Sequence, residues 1–481
     1  MSAKLAVTLV TAEFWPLAKT GGLGDMVYSI AASLRDYGFD VRVVIPGYRS
    51  IIRNLGSDAT TRGKVLALDH QVELVVQHMH GMEIVVVRCD PLYDRPGNLY
   101  MESFRTPWSD NAQRFGVLCR AAASIANGST ELPPPDILHI HDWHAGLTPA
   151  YLDDRVGIPV VLTVQNFMFQ GRFPKSEIGS LELGKNADVT EAAELFSGFS
   201  FLQAGLHLAD VVTTVSPRYV EEMAERSRFN WYYMRERARK KLVSIINWPE
   251  TEVWNPACDN FIPAPYGIST LRRRSVNREA LEKRLNWPRS GRPILATLSR
   301  MTKAKGFEFL FKQVSALLDR GCRLVIAGEG DQPLVNAARN LEAANPGRVA
   351  LMTPYNEEDA RLLLSGADGL LMPSLTEPCG LSQQHAQLYG CVPVVSRVGG
   401  LPDTVTDGVT GFLFEPSDRA SFLAAIDRLL SKLGGSRWEA LQQDCMRRNE
   451  ERAERTAYGE LLLRLHRANR ASGESRAAPP R

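Results

Sequence analysis

Lys19-Thr20-Gly21-Gly22-Leu23-Gly24-Asp25 stands between a short apolar run, Leu5 to Val10, and a segment of helical period. Gly21, Gly22 and Gly24 let backbone N–H groups approach an anion at a helix N-terminus, and Lys19 and Asp25 flank them with one charge of each sign. A diphosphate suits such a turn. The loop lacks the third glycine of the dinucleotide fingerprint, and its lysine precedes the glycines, the wrong order for a P-loop. Arg300 and Lys305 form a second candidate anion site, just past a predicted strand and at the start of a helix. Cations are unfavourable at a helix N-terminus unless an anion binds there. Glu377 precedes Pro378, Cys379, Gly380 and Leu381, so its carboxylate is expected at a loop-to-helix junction. His139, His141 and His144 are close enough in sequence to suggest a metal, since residues two apart on a strand share a face. A fourth ligand of convincing spacing is absent, and no metal is expected.

These residues need a scaffold, and the chain supplies alternating strand-length apolar runs and helical segments, the pattern of parallel α/β layers. In the first half the predicted strands are Leu5 to Val10, Val41 to Ile45, Ile137 to Ile140, Val160 to Val164 and Val211 to Val215. Met26, Val27, Ile30, Ala31 and Leu34 recur at helical spacing, with Gly38 where a C-cap belongs. Val65 to Val87 alternates apolar and polar residues, which predicts an antiparallel excursion. A second series begins at Pro293, with strands at 294–298, 323–326, 349–352, 370–372 and 392–396. Pro249 to Arg292, rich in Pro and Arg, reads as a hinge region. The expected fold class is α/β: two doubly wound Rossmann-like domains facing across a cleft, with ligands at the carboxyl ends of their strands. Arg272-Arg273-Arg274, with Arg278 and Lys283 beyond, reads as a solvated helix face. Residues 471–481 read as a disordered tail.

At 481 residues the chain has room for two or three domains. Hydrophobic residues at 44% and charged residues at 23% exclude wholesale disorder, collagen and coiled coil. Lys plus Arg at 56 against Asp plus Glu at 54 leaves +2, without the basic excess of a nucleic-acid binder. Seven scattered cysteines without a C-x-x-C spacing suggest neither a disulfide framework nor a zinc knuckle, and fit a reducing compartment. The N-terminal apolar run is too short for a signal peptide, and no run approaches the ~20 residues of a membrane span. A cytoplasmic protein with neither a membrane nor a nucleic acid as partner is expected.

The Lys19 loop resembles the signature of bacterial glycogen synthases and plant starch synthases, retaining glucosyltransferases of the two-domain GT-B fold. Further matches follow in order: His139-Ile140-His141-Asp142-Trp143-His144-Ala145-Gly146-Leu147, Thr214-Val215-Ser216-Pro217 and Val253-Trp254-Asn255-Pro256. In the second half come Ser299-Arg300-Met301-Thr302-Lys303-Ala304-Lys305-Gly306, Pro373-Ser374-Leu375-Thr376-Glu377-Pro378-Cys379-Gly380-Leu381 and Gly399-Gly400-Leu401-Pro402-Asp403-Thr404-Val405. The resemblance covers the chain to about residue 460. It implies an acceptor-side catalytic domain over 1–250, a nucleotide-sugar-binding domain over 251–460, and a terminal helix end and tail over 461–481. It implies transfer of glucose from ADP-glucose to an α-1,4-glucan, without a cofactor, in a site whose closure excludes water. Positive charge on the departing diphosphate would come from Arg300 and Lys305 in place of a metal. The family places Asp142 beside the sugar, Glu377 against it, the main chain at Cys379, Gly380 and Leu381 on the phosphates, and Tyr355 under the adenine.

Several positions depart from the family pattern. Val164-Gln165-Asn166 stands where Val-His-Asn is usual, and Gln165 cannot carry a proton at neutral pH. Main-chain contacts of Gln165 and Asn166 survive such an exchange; an imidazole role does not. Asn247-Trp248-Pro249-Glu250 replaces Asn-Gly-(Ile/Val)-Asp, exchanging a permissive glycine for a bulky residue restricted by the proline after it. Phe229-Asn230-Trp231-Tyr232-Tyr233 lies where a glycine-rich stretch is usual, Gln203 replaces a lysine, and His385 a tyrosine. Two alternatives therefore stand beside an active synthase: a weakened homologue that binds nucleotide sugar or glucan as a regulator, and an enzyme of the same fold with altered donor or acceptor. ADP against UDP, acceptor length and oligomeric state are left open.

Overall fold

The computed structural model describes residues 4–103, 106–153, 156–184, 194–195, 198–225, 241–448 and 454–477. Phe229 to Tyr233 lie outside the described residues. The chain divides into two compact units, Met1–Val215 with Ala224–Ile245 and Ala453–Arg481, and Ser216–Met223 with Ile246–Arg452. The main change of unit falls between Ile245 and Ile246, against an expected 250/251, and the C-terminal stretch rejoins the first unit, where the expectation set 461–481 apart.

The first unit is built on β1 (Ala6–Val10), β2 (Asp40–Pro46), β3 (Thr60–Ala67), β4 (His70–Met79), β5 (Met82–Arg88), β6 (Ile137–His141), β7 (Val160–Val164), β8 (Val211–Thr214) and β9 (Leu242–Ser244). They form one sheet in the order β9-β8-β7-β6-β1-β2-β5-β4-β3. All neighbours are parallel except β3 with β4 and β4 with β5, the antiparallel excursion read from alternation. Every residue of β6 and β7 is buried, as expected of parallel strands covered on both faces. The helix Gly22–Tyr37 buries Met26, Val27, Ile30, Ala31 and Leu34 and ends at Gly38 in the left-handed conformation, φ 109°. Strand order reverses at β1, which has β2 on one side and β6 on the other, so the carboxyl ends of β1 and β6 border the switch point where open α/β sheets bind ligands.

The helix Glu454–Ala477 also belongs to this unit. The Tyr458 ring is fully buried, its centroid 5.3 Å from that of His139, and its hydroxyl lies 3.4 Å from Thr163 Oγ1 and 3.3 Å from Thr213 Oγ1. The expected disordered tail is corrected for residues 471–477, which are helical. Once an anchored turn exists, each added residue gains a hydrogen bond without a new nucleation cost, and this stretch has no proline before Pro479.

The second unit holds a six-stranded, all-parallel sheet: β10 (Ile294–Leu298), β11 (Arg323–Ala327), β12 (Val349–Met352), β13 (Gly369–Met372), β14 (Val392–Ser396) and β15 (Phe412–Phe414), in the order β12-β11-β10-β13-β14-β15. This is the Rossmann order, with its switch point between β10 and β13. Alternate strand residues enter separate cores: Ile294, Ala296 and Leu298 join one, Leu295, Leu324 and Ile326 the other. The solvated basic face is corrected at Arg274. That guanidinium is buried and donates to Leu364 O at 3.1 Å and Ala367 O at 2.6 Å, carbonyls left without helical donors at the end of the helix Glu357–Gly366. Arg272 and Arg273 are exposed, and Arg278 pairs with Asp368 at 2.7 Å.

Candidate active site

In the first unit the Gly-rich loop is organised by Glu13, a buried carboxylate three residues beyond β1. Thr20 N–H and Gly21 N–H donate to its Oε2 at 2.7 and 3.3 Å, and Thr20 Oγ1 and Tyr100 Oη donate to its Oε1 at 2.7 and 2.5 Å. Of the glycine N–H groups that the loop was expected to offer an anion, that of Gly21 is thus already taken, which leaves Gly22, Leu23 and Gly24 at the helix start. Lys19 Nζ reaches both oxygens of Asp25, at 2.8 and 3.0 Å, so the flanking charges hold one another. Sequence reasoning did not single out Glu13. The available signal was an acidic residue directly after a buried strand and seven before Thr20.

Asp142 closes β6 on the other side of the switch point. It is 7% exposed and has φ 54° and ψ −170°, a region that non-glycine residues rarely adopt and that costs ~1–3 kcal/mol. Its main-chain N–H donates to Thr163 O at 2.8 Å, and its Oδ1 accepts the Gln165 N–H at 2.7 Å. Burial pushes its carboxyl up to about 7, opposed by hydrogen bonds from the main chain of Gln165 and Asn166. The exchange of imidazole for amide at Gln165 leaves this main-chain contact in place. Asn166 Oδ1 accepts from Met168 N–H at 2.9 Å and tightens the turn after β7.

His139 and His141 share one surrounding and His144 lies in another. His139 Nε2 lies 2.6 Å from Thr163 Oγ1, the His141 ring packs 4.3 Å from that of His139, and His144 stacks on Tyr100 at 4.8 Å. Burial pushes His139 and His144 down to about 3 and His141 well below the ordinary imidazole range. Among the described residues no group of three His, Cys, Asp or Glu side chains is placed to hold a metal ion.

In the second unit the loops after β10 and β13 interlock. Gly306 has φ 73°, and a Cβ there would sit 1.8 Å from Pro373 O, so only glycine fits the crossing. That approach brings Lys305 Nζ to 2.5 Å from Glu377 Oε2, which also receives Ser374 Oγ at 3.3 Å. Arg300 is exposed and, among the described residues, meets no carboxylate. The Lys305–Glu377 pair therefore carries its own neutralisation and Arg300 is surplus positive charge at the same strand ends. Cys379 is buried, and the half-buried Gly380 and Leu381 lead into the helix Ser382–Leu388. Asn247 and Trp248 are buried, and the Asn247 carbonyl accepts from Gln384 Nε2 at 3.0 Å. His385 stacks on Trp254, centroids 3.9 Å apart. Tyr355, just past β12, packs one side against the core. Gln203 is buried in the helix Phe201–Leu208, its main-chain N–H bound to Ser200 Oγ at 3.3 Å.

The structure thus gathers Lys19, Gly21, Gly22, Gly24, Asp25, Asp142, Gln165 and Asn166 at the switch point of the first unit. It gathers Arg300, Lys305, Glu377, Cys379, Gly380, Leu381 and Asn247 in the second. No helix among the described residues is long and apolar enough to cross a membrane.

Comparison with known proteins bears on the fold and the family. Residues 6–233 match the starch synthase catalytic domain, and residues 292–432 match glycosyl transferases group 1. The chain is 37% identical over 452 residues to a glycogen synthase of Rhodopseudomonas palustris (strain BisA53), covering 91% of this chain and 92% of that one. It is 37% identical over 456 residues to a glycogen synthase of Acidiphilium cryptum (strain JF-5), covering 92% and 95%. The catalytic domain of starch synthase IV from Arabidopsis thaliana, solved with ADP and acarbose, superposes with a TM-score of 0.85 at 24% identity, covering 97% of this chain and 99% of that one. With two doubly wound units in the GT-B pattern and this identity over nearly the whole length of its relatives, the chain belongs to the glycogen synthase and starch synthase family of glycosyltransferases.

Proposed function

We propose that the protein is a retaining glucosyltransferase that transfers glucose from ADP-glucose to the non-reducing end of an α-1,4-glucan. The observation that carries the reading is the uncompensated Arg300 guanidinium beside the Lys305–Glu377 pair at the switch point of the second unit. A neutral ligand gives no reason to leave a cation there; a departing diphosphate does. ADP as the nucleotide and a glucan as acceptor are supported by the ADP and acarbose bound to the Arabidopsis starch synthase IV domain.

In this reading the bond from glucose C1 to the diphosphate oxygen breaks while a bond forms from C1 to the acceptor 4-oxygen on the same face. The hydroxyl proton passes to a phosphate oxygen of the leaving ADP, so no side chain need accept it. Arg300 and Lys305 stabilise charge that grows on the diphosphate, Glu377 and Asp142 hold glucose hydroxyls, and main-chain groups at 379–381 meet the phosphates. Tyr355 stacks on the adenine. Labelled glucose is expected to enter glycogen from ADP-glucose, with Arg300→Ala lowering kcat about 10²- to 10³-fold. Absence of product from ADP-, UDP- and GDP-glucose alike overturns the proposal.

A further inference from the structure

Gln384 lies wholly buried on the helix Ser382–Leu388, and its side chain joins two segments far apart in sequence. Its Nε2 donates to Gly380 O at 2.8 Å and to Asn247 O at 3.0 Å, and lies 3.9 Å from Cys379 Sγ. The preceding residue, Gln383, has its Nε2 within hydrogen-bond reach of three acceptors, Cys379 O at 2.9 Å, Gly380 O at 3.0 Å and Thr404 Oγ1 at 2.9 Å, which share its two amide hydrogens. Two successive glutamines therefore draw the carbonyls of Cys379 and Gly380 inward. In a planar trans peptide the C=O and the following N–H point to opposite sides. Turning those two carbonyls into the protein turns the N–H groups of Gly380 and Leu381 outward. Neither N–H has a protein acceptor among the described residues, and both residues are half-buried. Gly380 makes the turn possible with φ 81°, and a Cβ there would fall 2.4 Å from Gln383 Oε1.

We propose that Gln384 is a positioning residue for the anionic end of the donor: by tying Gly380 O to Asn247 O it holds the 380–381 peptide with its N–H toward the diphosphate. Gln383 fixes the turn from its own helix and from Thr404. Gln384 adds the tie to the Asn247-Trp248-Pro249 segment, 137 residues away, so that segment bears on phosphate binding without touching phosphate. The inference rests on the donor reading given above.

The test measures ADP binding to the full chain by calorimetry, with melting temperature recorded for each variant. Gln384→Met keeps volume and removes the amide. Gln387→Met is the control: Gln387 is equally buried on the same helix, and its amide serves Thr404 O and Thr410 O, both at 3.0 Å, away from 379–381. Both variants are expected to lower the melting temperature. Gln384→Met alone is expected to weaken ADP about ten-fold and raise the KM for ADP-glucose by a similar factor, with kcat changed less than about three-fold. Gln384→Asn, whose shorter amide cannot span both carbonyls, is expected to fall on the same side as Gln384→Met and serves if the methionine variant does not fold. Undiminished ADP binding by the folded Gln384 variants, or equal weakening by Gln387→Met, overturns this inference alone. Failure of the unmodified protein to bind ADP overturns it together with the donor reading.

Discussion

Asp142 combines an unfavourable backbone conformation with a buried carboxyl, and both point to a position kept for what it contacts. Its carboxyl is raised from the ordinary 3.8 to about 7, so the fold favours the protonated form. That favourable contribution is complete below about pH 4 and is lost as pH rises through 7. Asn at this position keeps an acceptor for the Gln165 N–H and never ionises. Asp142→Asn is therefore expected to match the parent in stability near pH 4 and to exceed it at pH 8 by on the order of 2–4 kcal/mol, while kcat falls on the order of 100-fold. Thermal melts across this range decide the matter: an advantage that does not grow with pH contradicts the assigned burial of charge.

At the scale of elements, function depends on how the loops after β10 and β13 cross. The Lys305–Glu377 pair exists because Gly306 lets one loop pass within contact of Pro373 O. Gly306→Ala combines a left-handed φ with a Cβ inside that carbonyl and is expected to cost about 2–4 kcal/mol and most of the activity. Gly267→Ala, where φ is −123° and nothing lies within 4 Å of the added carbon, is expected to change stability by less than about 1 kcal/mol. Urea midpoints at constant m-value compare the two directly. The same crossing was only half legible beforehand. Arg300, Lys305 and Gly306 are close neighbours in sequence and declare an anion site by charge and glycine alone, whereas the meeting of Lys305 with Glu377 spans 72 residues.

For the molecule as a whole, the C-terminal helix Glu454–Ala477 is part of the first unit although most of the second unit precedes it. Tyr458 supplies the buried contact, with its ring beside His139 and its hydroxyl between Thr163 and Thr213. Tyr458→Ala is expected to cost about 3–5 kcal/mol in the first unit. Amide hydrogen exchange should then show β7 and β8 losing protection while β10 to β14 retain theirs. Uniform loss across both sheets would contradict a stabilising role confined to the first unit.

What the amino-acid sequence determined by itself was whatever has a local period or a local spacing. Buried parallel strands read as unbroken apolar runs, the helix after β1 as a 3.6-residue stripe, the excursion to β5 as alternation, and the glycine and cation motifs as short strings. Polar partnerships at long range left no such trace. Glu13 meets Tyr100 across 87 residues and Gln384 meets Asn247 across 137, and the burial of Arg274 depends on helix-end carbonyls some 90 residues on. A side chain's donors and acceptors are chosen by whatever the packed backbone brings near. Which carboxylate braces the glycine loop, which amide turns the 380–381 peptide and which unit receives the last helix were therefore decided only by tertiary structure.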